Sequence, residues 1–241
     1  MNLDVSVVIP VKDEEPNILP LARELEAAFA RAALVWECVW VDDGSGDGSL
    51  AAMQSLVRPG GPHKWISLAE NSGQSAALLA GIAASRGAVI ATLDGDGQND
   101  PADLPDMVET ILTGQADMVN GYRARRRDTW ARQTASRLAN ETRNAITGKT
   151  VRDVGCSTRA FRRECARNLP AFKGMHRFLP TLAAYQGFRL AERAVNHRPR
   201  RLGKSKYGLH NRLWVGLLDL AGVWWLKTRR ATYLVSHRSS L

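Results

Sequence analysis

The feature that most narrows what this chain can fold into is the regular alternation of short apolar runs with helix-length segments across residues 1–120. Val5–Val11 is apolar and β-branched, the pattern of a strand buried on both faces. Pro16–Ala33 follows, with Ile18, Leu21, Leu25 and Phe29 on one helical stripe. Trp36–Val41 and Trp65–Leu68 read as strands, Gln74–Arg86 as an Ala- and Leu-rich helix, and Ala88–Leu93 as a fourth strand. A helix from Pro101 to Leu112 and a strand at Asp117–Asn120 complete the series. Strands separated by helices of this length imply a parallel sheet with crossovers, hence an α/β fold.

After Gly121 the composition changes. Residues 1–120 hold 6 Lys/Arg and 18 Asp/Glu, a net of −12, whereas residues 121–241 hold 27 and 6, a net of +21. The first half suits a cation and the second an anion, whether a nucleic acid, a membrane surface or a phosphorylated substrate. In the second half we expect a helix over Trp130–Ile146, a strand returning to the sheet around Asp153–Phe161, a helix at Phe178–Gln186 and an extended stretch at Phe188–Asn196. A basic loop, His197–Tyr207, precedes an apolar tail that starts at Leu209. The chain of 241 residues is long enough for one substantial core. Cys38, Cys156 and Cys165 have no zinc spacing and no even pairing, which points to a reducing, cytoplasmic setting. Asn2 and Asp4 lead straight into a strand, so no signal peptide is expected. No stretch of 18 consecutive apolar residues occurs, so a bilayer-spanning helix is not expected either.

The most informative motif is Asp94-Gly95-Asp96-Gly97-Gln98, delivered to a loop by the apolar run Ala88–Leu93. Two carboxylates and an amide at alternate positions can turn three oxygens toward one point, and hard cations such as Mg²⁺ or Mn²⁺ prefer oxygen. In open α/β sheets, ligands bind at the carboxyl ends of strands. A calcium loop fails here, because its sixth and twelfth positions are Asn99 and Pro105 instead of Gly and Glu. A plain Asp-Gly turn remains the rival. Asp42-Asp43-Gly44-Ser45 ends another strand, where carboxylates can bind a base or ribose hydroxyls or simply shape a turn. Asn71-Ser72-Gly73-Gln74 opens a helix and reads either as an anion or sugar contact or as an N-cap.

Arg123, Arg125, Arg126 and Arg127 read as a solvated face or as phosphate ligands. Arg132 and Ser136 lie one helical turn apart, and Arg200, Lys204, Ser205 and Lys206 surround Gly203. Together they can bracket a phosphate through charge-assisted hydrogen bonds. No nucleic-acid motif or aromatic interleaving accompanies these charges, so no nucleic-acid partner is expected. In the tail, Trp214, Trp224 and Trp225 beside Arg212, Lys227, Arg229 and Arg230 suit a lipid headgroup interface; packing on the core or a subunit interface is the alternative.

Ser6-Val7-Val8-Ile9-Pro10 with Glu14, Val41-Asp42-Asp43-Gly44-Ser45 and Asp94–Gln98 resemble family-2 glycosyltransferases, whose GT-A fold is Rossmann-like, with a mostly parallel sheet flanked by helices. Asn71–Gln74, the Arg132/Ser136 helix and His197–Tyr207 narrow the resemblance to the branch of dolichol-phosphate mannosyltransferase and the bacterial polyprenyl-phosphate glycosyltransferases. The resemblance covers roughly residues 4–210. It implies a catalytic unit over 1–208, with a nucleotide-sugar and metal half at 1–120 and an acceptor half at 121–208, then an amphipathic interfacial tail at 209–241.

By resemblance, Asp94, Asp96 and Gln98 hold Mg²⁺ or Mn²⁺. Pro10, Val11, Glu14, Asp42, Asp43, Gln74, Asp94 and Gly95 meet the nucleotide sugar. Arg123, Arg132, Ser136, Arg200, Ser205 and Lys206 bind the phosphate of a polyprenyl acceptor, and Asp153 lies near the reacting sugar. The implied reaction is an inverting transfer from a UDP- or GDP-linked sugar to undecaprenyl or dolichyl phosphate. It needs no general base, because a phosphate oxygen is already anionic. A transferase acting on a sugar hydroxyl is the alternative, with Asp153 as its base. The implied location is peripheral, on the cytoplasmic face of the inner membrane, and the resemblance leaves a separate membrane-protein partner or a homo-oligomer open. Many mannosyltransferase relatives carry Lys in place of Gln74, which favours the bacterial transferases. Several continue into transmembrane helices, where this chain has one amphipathic segment.

Overall fold

The computed structural model describes residues 3–124, 147, 148, 150–199 and 211–229, the last segment with side chains from 218 onward. The expected Trp130–Ile146 helix and the loop beyond residue 199 lie outside the described residues. The elements are β1 (Val5–Val11), α1 (Glu15–Ala32), β2 (Trp36–Asp42), α2 (Ser49–Ser55), β3 (His63–Ser67), α3 (Gln74–Ala84), β4 (Val89–Thr92), α4 (Leu104–Leu112) and β5 (Met118–Arg123). They continue with β6 (Arg159–Arg162), α5 (Leu179–Tyr185), β7 (Leu190–Val195) and α6 (Asn211–Arg229).

The strands form one seven-stranded sheet in the order β3-β2-β1-β4-β6-β5-β7. β1 pairs in parallel with β2 and β4, β2 with β3, and β5 with β7. Among the described strands β6 alone runs antiparallel, between β4 and β5. The mostly parallel α/β sheet expected from the sequence is therefore present. Because β2 and β4 lie on opposite sides of β1, the chain reverses its winding there, which opens a crevice at the carboxyl ends of β1 and β4.

Period-two alternation explains how the sheet is covered on both faces. Val5, Val7, Ile9 and Val11 of β1 pack with Ile18, Leu21, Leu25 and Phe29 of α1 and Met107 of α4. Val8 points the other way, into a cluster with Ala77 and Leu78 of α3 and Leu179 and Leu182 of α5. The stripe read on Pro16–Ala33 is thus the buried face of α1.

Three expectations shift. α2 was not anticipated, since seven residues are too few to show a helical stripe. β3 begins at His63 instead of Trp65, because the polar pair His63-Lys64 disguises its start. The strand expected around Asp153–Phe161 begins only at Arg159. The preceding residues form a loop whose polar groups are engaged: the Asp153 carbonyl accepts from Asn120 Nδ2 at 3.0 Å, and the Ser157 carbonyl accepts from Thr92 Oγ1 at 2.6 Å.

α6 is amphipathic in a way that serves two surroundings. Leu220 and Val223 are buried against the α3/α5 cluster. Leu218, Trp224 and Trp225 are 74%, 50% and 57% exposed, so packing on the core leaves them uncovered by the described residues.

Candidate active site

The crevice holds a cavity of about 610 Å³ whose walls include Pro10, Gln74, Asp94, Arg123, Arg159, His176 and Arg177. β4 delivers the first acid. Leu93 N still bonds Val8 O, at 3.3 Å, and the chain then turns away at Asp94. Gly95 lets this turn press against the end of β1: a Cβ there would stand 3.1 Å from Pro10 O and 3.2 Å from Val11 Cγ2. Gln74 Nε2 donates to Asp94 Oδ1 at 2.8 Å. Burial and then the charge of Asp96 push the Asp94 carboxyl above its ordinary range, against hydrogen bonds from Ser157 and Gln74 and the charge of Arg159. Two crowded carboxylates of this kind are relieved by a cation.

Asp96 Oδ1 accepts from Gln98 N at 3.1 Å, which closes the loop on itself. Gln98 Nε2 donates to Arg198 O at 3.3 Å, leaving its Oε1 as an acceptor. Arg198 N in turn donates to Gln98 O at 2.8 Å, and its guanidinium reaches Glu24 and Asp100, each at 2.7 Å. The start of the basic His197–Tyr207 loop is therefore docked on the acidic one. Among the described residues no three His, Cys, Asp or Glu side chains cluster into a cage for a metal. A Mg²⁺ bound with a substrate needs none, since one or two carboxylates with substrate phosphates commonly suffice. Asp94, Asp96 and the Gln98 amide oxygen fit that donor set.

In the β2 loop the turn-shaping reading of the two carboxylates has direct partners. Asp42 Oδ1 accepts from Ser45 N at 3.0 Å and its Oδ2 from Ser67 Oγ at 3.0 Å. Asp43 Oδ1 accepts from Ser72 N at 2.7 Å, and its Oδ2 from Gly73 N at 3.0 Å. Both carboxylates thus shape the loops at the crevice, and Asp43 holds the Asn71–Gln74 turn so that Gln74 faces Asp94. That turn has no side-chain N-cap on α3. Gly44, at φ +67°, lies where a Cβ would be 2.8 Å from Asn71 N, so this close approach requires glycine. Glu14 is buried, and its Oε2 accepts from Asn17 Nδ2 at 2.7 Å while its N–H donates to Ser49 Oγ at 2.9 Å. Lys12 Nζ donates to Gly44 O, tying the end of β1 to the β2 loop.

Arg123, at the end of β5, also lines the cavity and grips Asp153 with both arms of its guanidinium. Nε donates to Oδ2 at 2.7 Å and Nη2 to Oδ1 at 2.9 Å. The structure therefore joins the residue expected at the acceptor phosphate to the one expected near the sugar. A carboxylate with both oxygens in a guanidinium fork is poorly placed to take up a proton. Arg132, Ser136, Arg200, Ser205 and Lys206, expected on the same phosphate, lie outside the described residues, as do Arg125–Arg127, Lys204 and Arg230 and the side chains of Arg212 and Trp214.

The polar cavity residues missed from sequence are Thr92, Ser157, Arg159, His176 and Arg177. Arg159 is 3% exposed. Its Nε donates to Asn120 Oδ1 at 2.9 Å, Nη1 to His176 O at 2.6 Å and Nη2 to Val154 O at 2.7 Å. The one available signal was an arginine entering the apolar pair Ala160-Phe161, where a strand buries a charge only if acceptors await it. His176 and Arg177 sit on a single turn between Gly174 and α5 and gave no sequence signal.

The family model for glycosyl transferase family 2 matches residues 6–169. Dodecaprenyl-phosphate galacturonate synthase of Rhizobium johnstonii is 38% identical over 226 residues, covering 92% of this chain and 67% of that protein. Undecaprenyl-phosphate 4-deoxy-4-formamido-L-arabinose transferase of Aeromonas hydrophila is 37% identical, covering 85% of this chain and 63% of that one; its Pseudomonas aeruginosa counterpart is 40% identical, at 84% and 60%. The chain thus spans 60–67% of the length of these relatives. In fold it is similar to glucosyl-3-phosphoglycerate synthase from Mycobacterium tuberculosis, in complex with Mn²⁺, uridine diphosphate and phosphoglyceric acid. That match has a TM-score of 0.68 at 19% identity, over 95% of this chain and 80% of the other. The chain belongs to glycosyl transferase family 2 and has the GT-A fold.

Proposed function

We propose that the protein transfers a sugar from a nucleoside-diphosphate sugar to a polyprenyl phosphate, with inversion at the anomeric carbon. The observation that carries this reading is that one cavity is lined both by Asp94 of the acidic loop and by Arg123, Arg159 and Arg177. Such a site suits two anionic substrates, one met through a cation and one met by guanidinium groups. The named activities of the relatives, on dodecaprenyl and undecaprenyl phosphate, support it.

The donor nucleotide lies at the carboxyl ends of β1 and β2, over Pro10, Val11 and Glu14, in loops shaped by Asp42 and Asp43. Asp94, Asp96 and Gln98 hold Mg²⁺ or Mn²⁺, which when bound neutralises charge on the diphosphate. Gln74 holds the Asp94 carboxylate in place. Arg123 orients the acceptor phosphate with Arg132, Ser136, Arg200, Ser205 and Lys206. A phosphate oxygen forms the new bond to the anomeric carbon as the bond to the diphosphate oxygen breaks, and the electron pair leaves with the nucleotide. Holding both reactants in line is the main contribution of these side chains. The engagement of Asp153 by Arg123 favours this reading over one in which Asp153 deprotonates a sugar hydroxyl. In this scheme residues 1–120 form the donor half, 121–208 the acceptor half and 209–241 a tail that rests on a membrane surface.

No helix of the described residues is long and apolar enough to cross a membrane. The exposed Trp224 and Trp225 near Lys227 and Arg229 instead suit a headgroup boundary, which is where a polyprenyl phosphate presents its phosphate. The test is a panel of UDP- and GDP-linked sugars incubated with a short-chain polyprenyl phosphate and Mn²⁺, scored for glycolipid by mass. A polyprenyl-phosphate sugar is the expected product. Transfer only to sugar hydroxyls, with none to the lipid phosphate, overturns the reading.

A further inference from the structure

His176 is oriented with more care than a wall residue needs. Ser75 Oγ accepts from Gly174 N at 3.1 Å and from His176 N at 3.4 Å, and lies 2.8 Å from His176 Nδ1. A hydroxyl has two acceptor lone pairs and one proton. With both lone pairs facing backbone N–H groups, the proton goes to Nδ1, and the ring's own hydrogen sits on Nε2. Burial, then the charges of Arg177 and Arg159, hold the imidazole neutral by lowering its pKa to about 3. Among the described residues Nε2 has no hydrogen-bond partner, and His176 is one of the residues that line the cavity.

Sheet order says what this N–H meets. The nucleotide end lies at β2 and β1, Asp94 at the end of β4, and Arg123 at the end of β5, with β6 between the last two. His176 is held from α3 by Ser75 and from β6 by Arg159, whose Nη1 bonds its carbonyl at 2.6 Å. It therefore stands between the diphosphate end and the acceptor end, where the sugar in transit must lie. We propose that His176 presents a fixed Nε2–H donor to an oxygen of the transferred sugar and so selects the donor substrate; this rests on the transferase reading above. A neutral donor flanked by two guanidinium groups favours a hydroxyl, carbonyl or carboxylate oxygen at that position and disfavours an ammonium group.

The test uses the nucleotide sugar that yields product in the panel above, together with its free nucleoside diphosphate. His176→Phe should lower kcat/KM for the donor roughly tenfold or more, the scale of one lost hydrogen bond to a buried partner. The KM for polyprenyl phosphate and the Kd for the free nucleoside diphosphate should stay within about twofold. His176→Gln, which keeps an N–H near the Nε2 position, should recover part of the loss. Ser75→Ala, which removes the hydroxyl that orients the ring and sets its tautomer, should give an intermediate loss. These two variants also carry the test if His176→Phe does not fold. Wild-type donor kinetics in His176→Phe, a shift confined to the lipid KM, or an equal loss of free nucleotide binding overturns the proposal. If no pair in the panel yields product, the transferase reading falls first, and this proposal with it.

Discussion

Arg159→Met and Arg159→Lys together test whether the buried guanidinium is the keystone between the two halves of the site. Met keeps an apolar stem of similar length and removes three donors, to Asn120 Oδ1, His176 O and Val154 O. Burial already works against the charge, lowering the Arg159 pKa despite the nearby carboxylates of Asp94 and Asp153. Removing the charge therefore recovers its desolvation cost, which offsets most of the gross loss from charge-assisted bonds. What remains is three orphaned acceptors at about 1 kcal/mol or more each, so we expect about 3 kcal/mol of destabilisation. For a chain of this size that is roughly 6–12 °C in Tm. Lys keeps the desolvation cost and can satisfy one acceptor well, so Arg159→Lys should be at least as unstable as Arg159→Met. Urea unfolding of both variants beside the wild type measures this directly. Near-wild-type stability of the Lys variant, or a loss below about 1 kcal/mol in the Met variant, refutes the reasoning.

Asp96→Ala should abolish transfer even in excess Mn²⁺ or Mg²⁺ while the fold persists by circular dichroism; full activity sinks the metal assignment. Hydrogen bonds from Arg189 hold Asp117 at about 2, below its ordinary 3.8. Its contribution is thus complete above that ordinary value and is lost as the pH falls toward 2. Asp117→Asn should cost about 1–2 kcal/mol at pH 7, allowing for solvent-exposed partners, with the gap narrowing in urea titrations toward pH 3. A gap that stays constant over that range contradicts the pairing. The double substitution Trp224→Ala, Trp225→Ala should weaken binding to vesicles containing anionic phospholipid roughly tenfold, as judged by co-sedimentation. Unchanged sedimentation removes α6 from the membrane.

The sequence by itself determined the alternation of strands and helices apart from the short α2, the mostly parallel sheet and the acidic loop at the end of β4. These follow from local rules: apolar periodicity, crossover length and turn chemistry act over a few residues. Gln74 and Gly95 entered as individual site residues only through the resemblance, and the fold sets both beside the acidic loop: Gln74 bonds Asp94, and Gly95 turns against the end of β1. Tertiary structure decided how the charges are used. Asp42 and Asp43 read from sequence either as ligand contacts or as turn formers, and the fold gives their oxygens Ser45, Ser67, Ser72 and Gly73 as partners. Arg123 and Asp153, thirty residues apart, join as a bidentate pair, and Ser75 sets the tautomer of His176 across 101 positions. Pairings of that range depend on which elements the folded core brings side by side, and no local pattern in the chain encodes them.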